Sequence, residues 1–174
     1  MTEVMVVVAI TGILLGLAAP SFADMLNRRR VQIVAETLSN DLAYARAEAG
    51  LGRNQNVNIL FEQTPSMSCY TIHVAAVLGN CSCSRPVGAA CTLTKFELRT
   101  VQVPSSMGVA MTVSEVDPPN QVSFIAPRMT SSTDGLAVSV AGVRGSTLQV
   151  RVNAMGRVST CVPSGGNFNG VPAC

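Results

Sequence analysis

The 174-residue sequence has no tryptophan, two tyrosines, five phenylalanines and a single histidine. So few aromatic rings exclude an array of stacking platforms for unpaired bases. Charge is scarce as well. Asp, Glu, Lys and Arg make up 13% of the chain, and the formal balance of +2 is too small by itself to argue for a polyanionic partner. A Ser-His-Asp arrangement would have to use His73, which sits in an alternating segment where a lone histidine reads as a packed or surface residue. The Gly-x-Ser-x-Gly, His-Glu-x-x-His and phosphate-loop patterns are missing, and the glycines fall in turns. These absences exclude the familiar catalytic constellations, so the chain reads as a non-enzyme without cofactor.

Cysteine, in contrast, is plentiful. Cys69, Cys81, Cys83, Cys91, Cys161 and Cys174 all follow the hydrophobic N-terminus. An even number confined to one region suits disulfides in an oxidising compartment. Cys81-Ser-Cys83 with Cys91 lacks the usual zinc spacing, and no metal is expected. Fifteen pairings are open. Only Cys161 with Cys174 is ventured, closing a Gly/Pro/Asn tail into a loop of about 14 residues, worth about 3 kcal/mol. Little else is expected to hold that tail to the core. The stretch VLGNCSCSRPVGAAC, residues 77–91, has no period, and its cysteines are expected to staple a loop.

The N-terminus carries one long hydrophobic run. From Val4 to Ala23 every residue except Thr11, Pro20 and Ser21 is apolar or glycine. Twenty residues of helix span about 30 Å, the thickness of a bilayer core. Met1-Thr2-Glu3 offers no basic start, and Ser21-Phe22-Ala23 is a poor cleavage site, so the run reads as an anchor rather than a secretory signal. Pro20 is expected to kink or loosen the helix. Beyond it, Met25, Val31, Val34, Leu38, Leu42 and Ala45 recur at helical steps. Arg28, Arg29, Arg30, Glu36, Asp41 and Glu48 are interleaved, an amphipathic pattern that ends near Gly50 and Gly52. The arginine triplet reads as a polar face at the membrane boundary, or as a contact for anionic head groups. Lying after the apolar run, it would place the globular part in the cytoplasm by the positive-inside rule, against the cysteines. A basic leader before Met1 removes that conflict.

The stretch TEVMVVVAITGILLGLAAPSF resembles the mature N-terminus of type IV pilins and type II secretion pseudopilins. The family opening is usually Phe-Thr-Leu-x-Glu-x-Met/Leu-Val-Val-Val-Ala-Ile, after a short leader ending in glycine. Thr2 and Glu3 match the end of that opening, and Gly12 and Pro20 stand where the family has them; the Phe-Thr-Leu portion and the leader are missing. With Met1 in place of the peptidase site the chain as written could not be processed, and a start placed too far downstream or a truncation is expected. The resemblance implies that Glu3 lies just inside the membrane and pairs with the N-terminal amine of a neighbouring subunit. A carboxylate at that depth costs about 3 kcal/mol unless paired.

After Gly52 the period becomes two. Val57/Ile59/Phe61, Tyr70/Ile72/Val74, Phe96/Leu98 then Val101/Val103, Val109/Met111/Val113, Val122/Phe124, Leu136/Val138/Val140, Leu148/Val150/Val152 and Val158 alternate with polar residues. Turn residues such as Asp117-Pro118-Pro119-Asn120 fill the gaps. About eight strands in about 120 residues predict a β-sandwich-like domain. The C-terminal segment from Gln121 to Cys161 resembles the GspH/FimT-type branch, with Gly156-Arg157-Val158 at its last strand. Some members of that branch bind DNA through a Gly-Arg-x-Arg motif; Ser159 stands here for the second arginine. Arg128, Arg144, Arg151 and Arg157 fall within 30 residues. They are the candidate phosphate contacts, able to grip a backbone without reading sequence.

The expected fold class is thus α+β: a long N-terminal helix packed on a C-terminal antiparallel β-sandwich-like domain. Residues 1–27 are read as the membrane and filament-core half of the helix, 28–52 as its amphipathic half, and 53–174 as a periplasmic head. The resemblance implies a minor pilin or pseudopilin anchored in the inner membrane. Its implied partners are other pilin or pseudopilin subunits, membrane lipid, assembly-platform proteins and, in the alternative role of DNA uptake, double-stranded DNA.

Overall fold

A computed structural model describes residues 2–174 except 52–54, 75–79, 93–95, 115–119, 134 and 167. The side chains of residues 2, 3, 9, 13–20 and 144 also lie outside the description. The side chains of Glu3, Pro20 and Arg144, and most of the turn at 117–120, are therefore outside the described residues.

Helix α1 runs unbroken from Thr2 to Gly50. Among the described residues its first part has no cover. Val4, Met5, Val6, Val7, Val8 and Ile10 are all more than half exposed. Among the described residues, no helix is long and apolar enough to cross a membrane; positions 13–20 of the run read above as a span are among those whose side chains are left out. From Asn27 onward the helix becomes one-sided. Val31, Val34, Ala35, Leu38, Leu42, Ala45 and Ala49 are buried at steps of one, three and four residues, the stripe that a 3.6-residue period lays along one face. Met25, expected on this face, is 55% exposed instead. At about 100° per residue it lies far round the helix from the stripe's centre.

Asp41 departs from expectation in the opposite sense. Assigned by sequence to the polar face, it is buried, because its angular position borders the apolar arc. The Tyr70 hydroxyl donates to its Oδ2 at 2.7 Å, and Arg99 pairs with Oδ1 at 3.0 Å. Burial, followed by the hydrogen bond and the charge of Asp41, pushes the Tyr70 phenol well above the ordinary tyrosine range; Arg99 opposes that shift. Tyr70 therefore remains a donor, and the buried carboxylate keeps two partners.

The head holds nine strands among the described residues, where the sequence predicts about eight. They are β1 (Val57–Gln63), β2 (Met67–Val74), β3 (Phe96–Pro104), β4 (Val109–Val113), β5 (Gln121–Ile125), β6 (Thr130–Ser131), β7 (Gly135–Gly142), β8 (Thr147–Asn153) and β9 (Val158–Cys161). β6, only two residues long, is too short to carry a period. Two sheets form, in the orders β3-β2-β1-β5-β6 and β4-β7-β8-β9, and every pairing between these strands is antiparallel. Inward residues of both sheets, among them Ile59, Ile72, Phe124, Val138 and Val150, share one core with the α1 stripe. The change of phase between Phe96/Leu98 and Val101/Val103 has a physical cause. Ile72 pairs with Arg99 and His73 with Glu97, so Leu98 is the extra residue of a bulge that moves the alternation by one. His73 is buried in β2.

The disulfides are Cys69–Cys83, Cys81–Cys91 and Cys161–Cys174. The first two tie the 80–92 loop to β2 and close it on itself. Side chains complete the attachment. Glu62 accepts from the Ser82 hydroxyl and the Ser84 amide, and Gln102 donates to the carbonyls of Cys83 and Arg85. Glu97 accepts from the amides of Gly88 (2.9 Å) and Ala90 (2.8 Å) and from Thr100 Oγ1 (2.6 Å). The C-terminal tail is held by more than its disulfide, contrary to expectation. Val162, Phe168 and Val171 pack against the core, and Val162 exchanges backbone hydrogen bonds with Pro172 and Cys174.

Asn27 marks where the helix meets the head; it is the first buried residue of α1 among those described. Its Nδ2 donates to the Gly108 carbonyl at 2.9 Å. Its Oδ1 accepts from the Val143 amide at 2.8 Å and the Ser146 hydroxyl at 3.2 Å. Gly142 lets this approach happen, since a Cβ there would overlap Asn27 Oδ1, Ser146 Oγ and Val31 Cγ2. Asn27→Ala, which removes three hydrogen bonds between the helix and two turns, is expected to destabilise the head by about 1–3 kcal/mol in thermal denaturation.

Glu97 makes the loop sensitive to acid. Burial alone would raise its pKa, but the bonds from Thr100, Gly88 and Ala90 outweigh burial and hold it below the ordinary carboxylate value. A depressed folded-state pKa contributes stability that is fully present above the unfolded pKa and lost as pH falls through the folded one. Amide-exchange protection at Gly88 and Ala90 is expected to fall between about pH 5 and about pH 3. In Glu97→Gln it is expected to be weak already at neutral pH.

Candidate functional site

Two surfaces of the molecule are candidates for function. The first is the helix. Besides the exposed residues 4–8 and Ile10, α1 bears Phe22, Leu26, Ile33 and Tyr44, each at least 44% exposed. At about 100° per residue these four fall within a narrow arc, roughly opposite the stripe that packs on the sheets, with exposed Arg29 and Asn40 among them. Gly12 lies in the first part of the helix with open space where a Cβ would stand. Arg28, Arg29 and Arg30 are exposed where the helix leaves the head. Arg30 donates to the Met107 carbonyl at 3.0 Å, and Arg29 reaches Gln32, which bonds Glu36 in turn. Such a pattern suits burial of one face against other helices and suits no reaction.

The second surface is basic and lies on the outer face of the four-stranded sheet. β8 sends Leu148, Val150 and Val152 into the core, so Arg151 points outward. In the β8–β9 register Arg151 stands opposite Ser159, and Val152 opposite Val158. Arg157 is therefore one step diagonal to Arg151 on the same face. Both border a shallow trough of about 550 Å³ whose other walls include Ser114, Asn153 and Ser159, with Gly135 and Ala137 forming a low floor. The position where the resemblance expects a second arginine is thus Ser159, and its direct cross-strand partner is Arg151.

The four candidate arginines do not all converge. Arg128 is exposed in the turn between β5 and β6, which packs against the turn carrying Gly156 and Arg157. Arg144 belongs to the turn between β7 and β8, beside Asn27, at the other end of the strands from Arg157. Sequence reasoning did not find Arg46. Its half-buried guanidinium donates to the carbonyls of Met129 and Met155, one in each of the two packed turns. An arginine in the helix's polar pattern carries no sequence signal for such a bridge.

Among the described lining residues the trough brings together two guanidinium groups, and Arg151 Nη1 also donates to the Cys174 carbonyl oxygen at 3.5 Å. The disulfides have consumed the sulfurs that lie near potential metal ligands, Cys81 and Cys91 beside His73 and Cys69 and Cys83 beside Glu62, so neither group offers thiolates.

Gly156 has a left-handed φ of 73°, and a Cβ there would overlap the Met129 carbonyl oxygen. Left-handed backbone costs an L residue about 1–2 kcal/mol before any overlap is counted. Gly156→Ala is expected to destabilise the head by about 2–4 kcal/mol in thermal denaturation and to displace Arg157 from the trough.

No family model and no curated protein matches the sequence. The fold does have counterparts. It is similar to the type IV minor pilin FimU of Pseudomonas aeruginosa in two crystal structures. One superposes with a TM-score of 0.52 at 15% identity, covering 78% of this chain and 90% of that one. The other gives 0.50 at 15% identity, covering 74% and 90%. The long helix laid across antiparallel sheets is the fold of a type IV minor pilin.

Proposed function

We propose that this chain is a minor pilin of a type IV pilus, built into the filament through α1. The observation that carries the reading is the long helix, which packs one face on a minor-pilin-like head and leaves apolar side chains of its first part and of its opposite face uncovered. In this reading residues 4–17 hold the subunit in the inner membrane with its head in the periplasm. After extraction they pack against the helices of other pilin subunits, with assembly-platform proteins driving the transfer. Glu3 sets axial register by pairing with a neighbour's N-terminal amine, which offsets the cost of a carboxylate in an apolar bundle. Disulfides suit the oxidising compartment where the head would fold. A type II secretion pseudopilus would use the same helix in the same way.

A second role is supported by the grouping of Arg151 and Arg157 on one sheet face, with Arg128 on the adjoining turn. That surface suits the phosphates of double-stranded DNA, gripped during uptake without sequence readout. Arg151, opposite Ser159, stands in for the arginine that the Gly156-Arg157 motif lacks.

The assembly reading is tested by Glu3→Ala, expressed in the cell that encodes the protein. The variant should accumulate with a folded, disulfide-bonded head, yet fall at least about tenfold in sheared filaments. Incorporation equal to the parent would overturn the role given to Glu3.

A further inference from the structure

Arg46 joins two turns that are far apart in the chain. Its Nε donates to the Met129 carbonyl at 3.4 Å, and its Nη2 donates to the Met155 carbonyl at 3.4 Å. The first turn carries Arg128 and the second carries Arg157. The turns are also stitched directly, by the Ser131 amide to the Ala154 carbonyl at 3.0 Å, so the guanidinium braces a contact that already exists. Both turns are specific shapes: Met129 has φ 56° and Gly156 φ 73°. Space between them is so tight that a Cβ on Gly156 would strike the Met129 carbonyl and meet the Arg46 side chain.

We propose that Arg46 is the positioning residue of the basic surface, bridging the Met129 and Met155 carbonyls so that Arg128 and Arg157 face one DNA backbone together with Arg151. The proposal rests on the DNA-binding reading above. Arg128 and Arg157 each sit one residue from the Met129–Gly156 contact, so any loosening of that contact is passed to both. Arg128, Arg151 and Arg157 are exposed, Arg151 giving one donor to the Cys174 carbonyl at 3.5 Å, whereas Arg46 is half-buried and bridges two backbone carbonyls. It contributes order, and the other three contribute the contacts. The guanidinium offers two donor nitrogens fixed in one plane, whereas an ammonium must place all its donors from a single nitrogen. Pre-ordering the turns removes a cost that binding would otherwise carry.

The test is fluorescence anisotropy of a short DNA duplex with the full chain in nonionic detergent, over a range of salt. The parent is compared with Arg157→Ala, Arg46→Gln and Arg46→Lys. The parent should bind and weaken with salt, and Arg157→Ala should flatten the log–log salt dependence by about 0.9. Arg46→Lys keeps the charge but loses the two-nitrogen fork, and should weaken binding about tenfold, as should Arg46→Gln. Faster amide exchange at Ser131 should accompany both, which a role in contacting phosphate would not produce. If Arg46→Gln does not fold, the lysine variant carries the test alone. Parent-like affinity in Arg46→Lys would overturn the positioning role and leave the DNA reading standing. Failure of the parent to bind at low salt would overturn both.

Discussion

One buried stripe on α1 is the wall against which both sheets close. Val31, Val34, Leu38, Leu42 and Ala45 contribute to a core that also takes side chains from β1, β2, β5, β7 and β8. Neither sheet could bury its inner face against water-exposed neighbours of its own, because an amphipathic layer needs a second layer to cover it. The helix supplies that cover, and polar contacts fix its position: Asn27 holds it to the turns at Gly108 and Val143, and Asp41 to Tyr70 and Arg99. Each is a buried polar group whose alternative partners are absent, so a sliding or rotating helix would leave donors and acceptors unmade. Apolar burial provides the attraction, and these bonds provide the register.

That arrangement also explains the division of the helix. Among the described residues the head covers α1 only from Asn27 onward, which leaves residues 4–8 and Ile10 in the open. The face of α1 opposite the buried stripe keeps Phe22, Leu26, Ile33 and Tyr44 outward, with the exposed polar residues Arg29 and Asn40 among them. The loop at 80–92 is rigid for an independent reason, being bound by two disulfides and by Glu62, Glu97 and Gln102. The basic trough lies on the outer face of the other sheet, around Arg151 and Arg157. Assembly through the helix and binding through the sheet could therefore occur on the same subunit without competing.

Much of the architecture was legible from period alone. The strands of both sheets announce themselves by alternation, because a sheet with one face on the core imposes a strict period of two. Even the slip between Leu98 and Val101 was visible, although its meaning, a bulge against β2, required the pairing partner. Where the period misled, the cause was geometric. Asp41 reads as solvent-facing by residue type, yet its angle places it at the edge of the buried arc, and Tyr70 and Arg99, which make burial tolerable, come from β2 and β3. Met25 has the right type but lies far round the helix from the buried stripe.

By itself the sequence determined the element types, the one-sided helix and the uncovered apolar run, because each depends on the spacing of neighbours along one chain. The tertiary structure alone decided which cysteines pair among fifteen possibilities. It also decided which arginines meet: Arg151 and Arg157 become neighbours through the β8–β9 register, while Arg144 is carried to the opposite end of its hairpin. Arg46 acquires its role only because two turns, 26 residues apart from Met129 to Met155, close beneath it. Contacts between distant segments follow from how the layers stack. No local pattern encodes that stacking, since the same alternation is compatible with many strand orders.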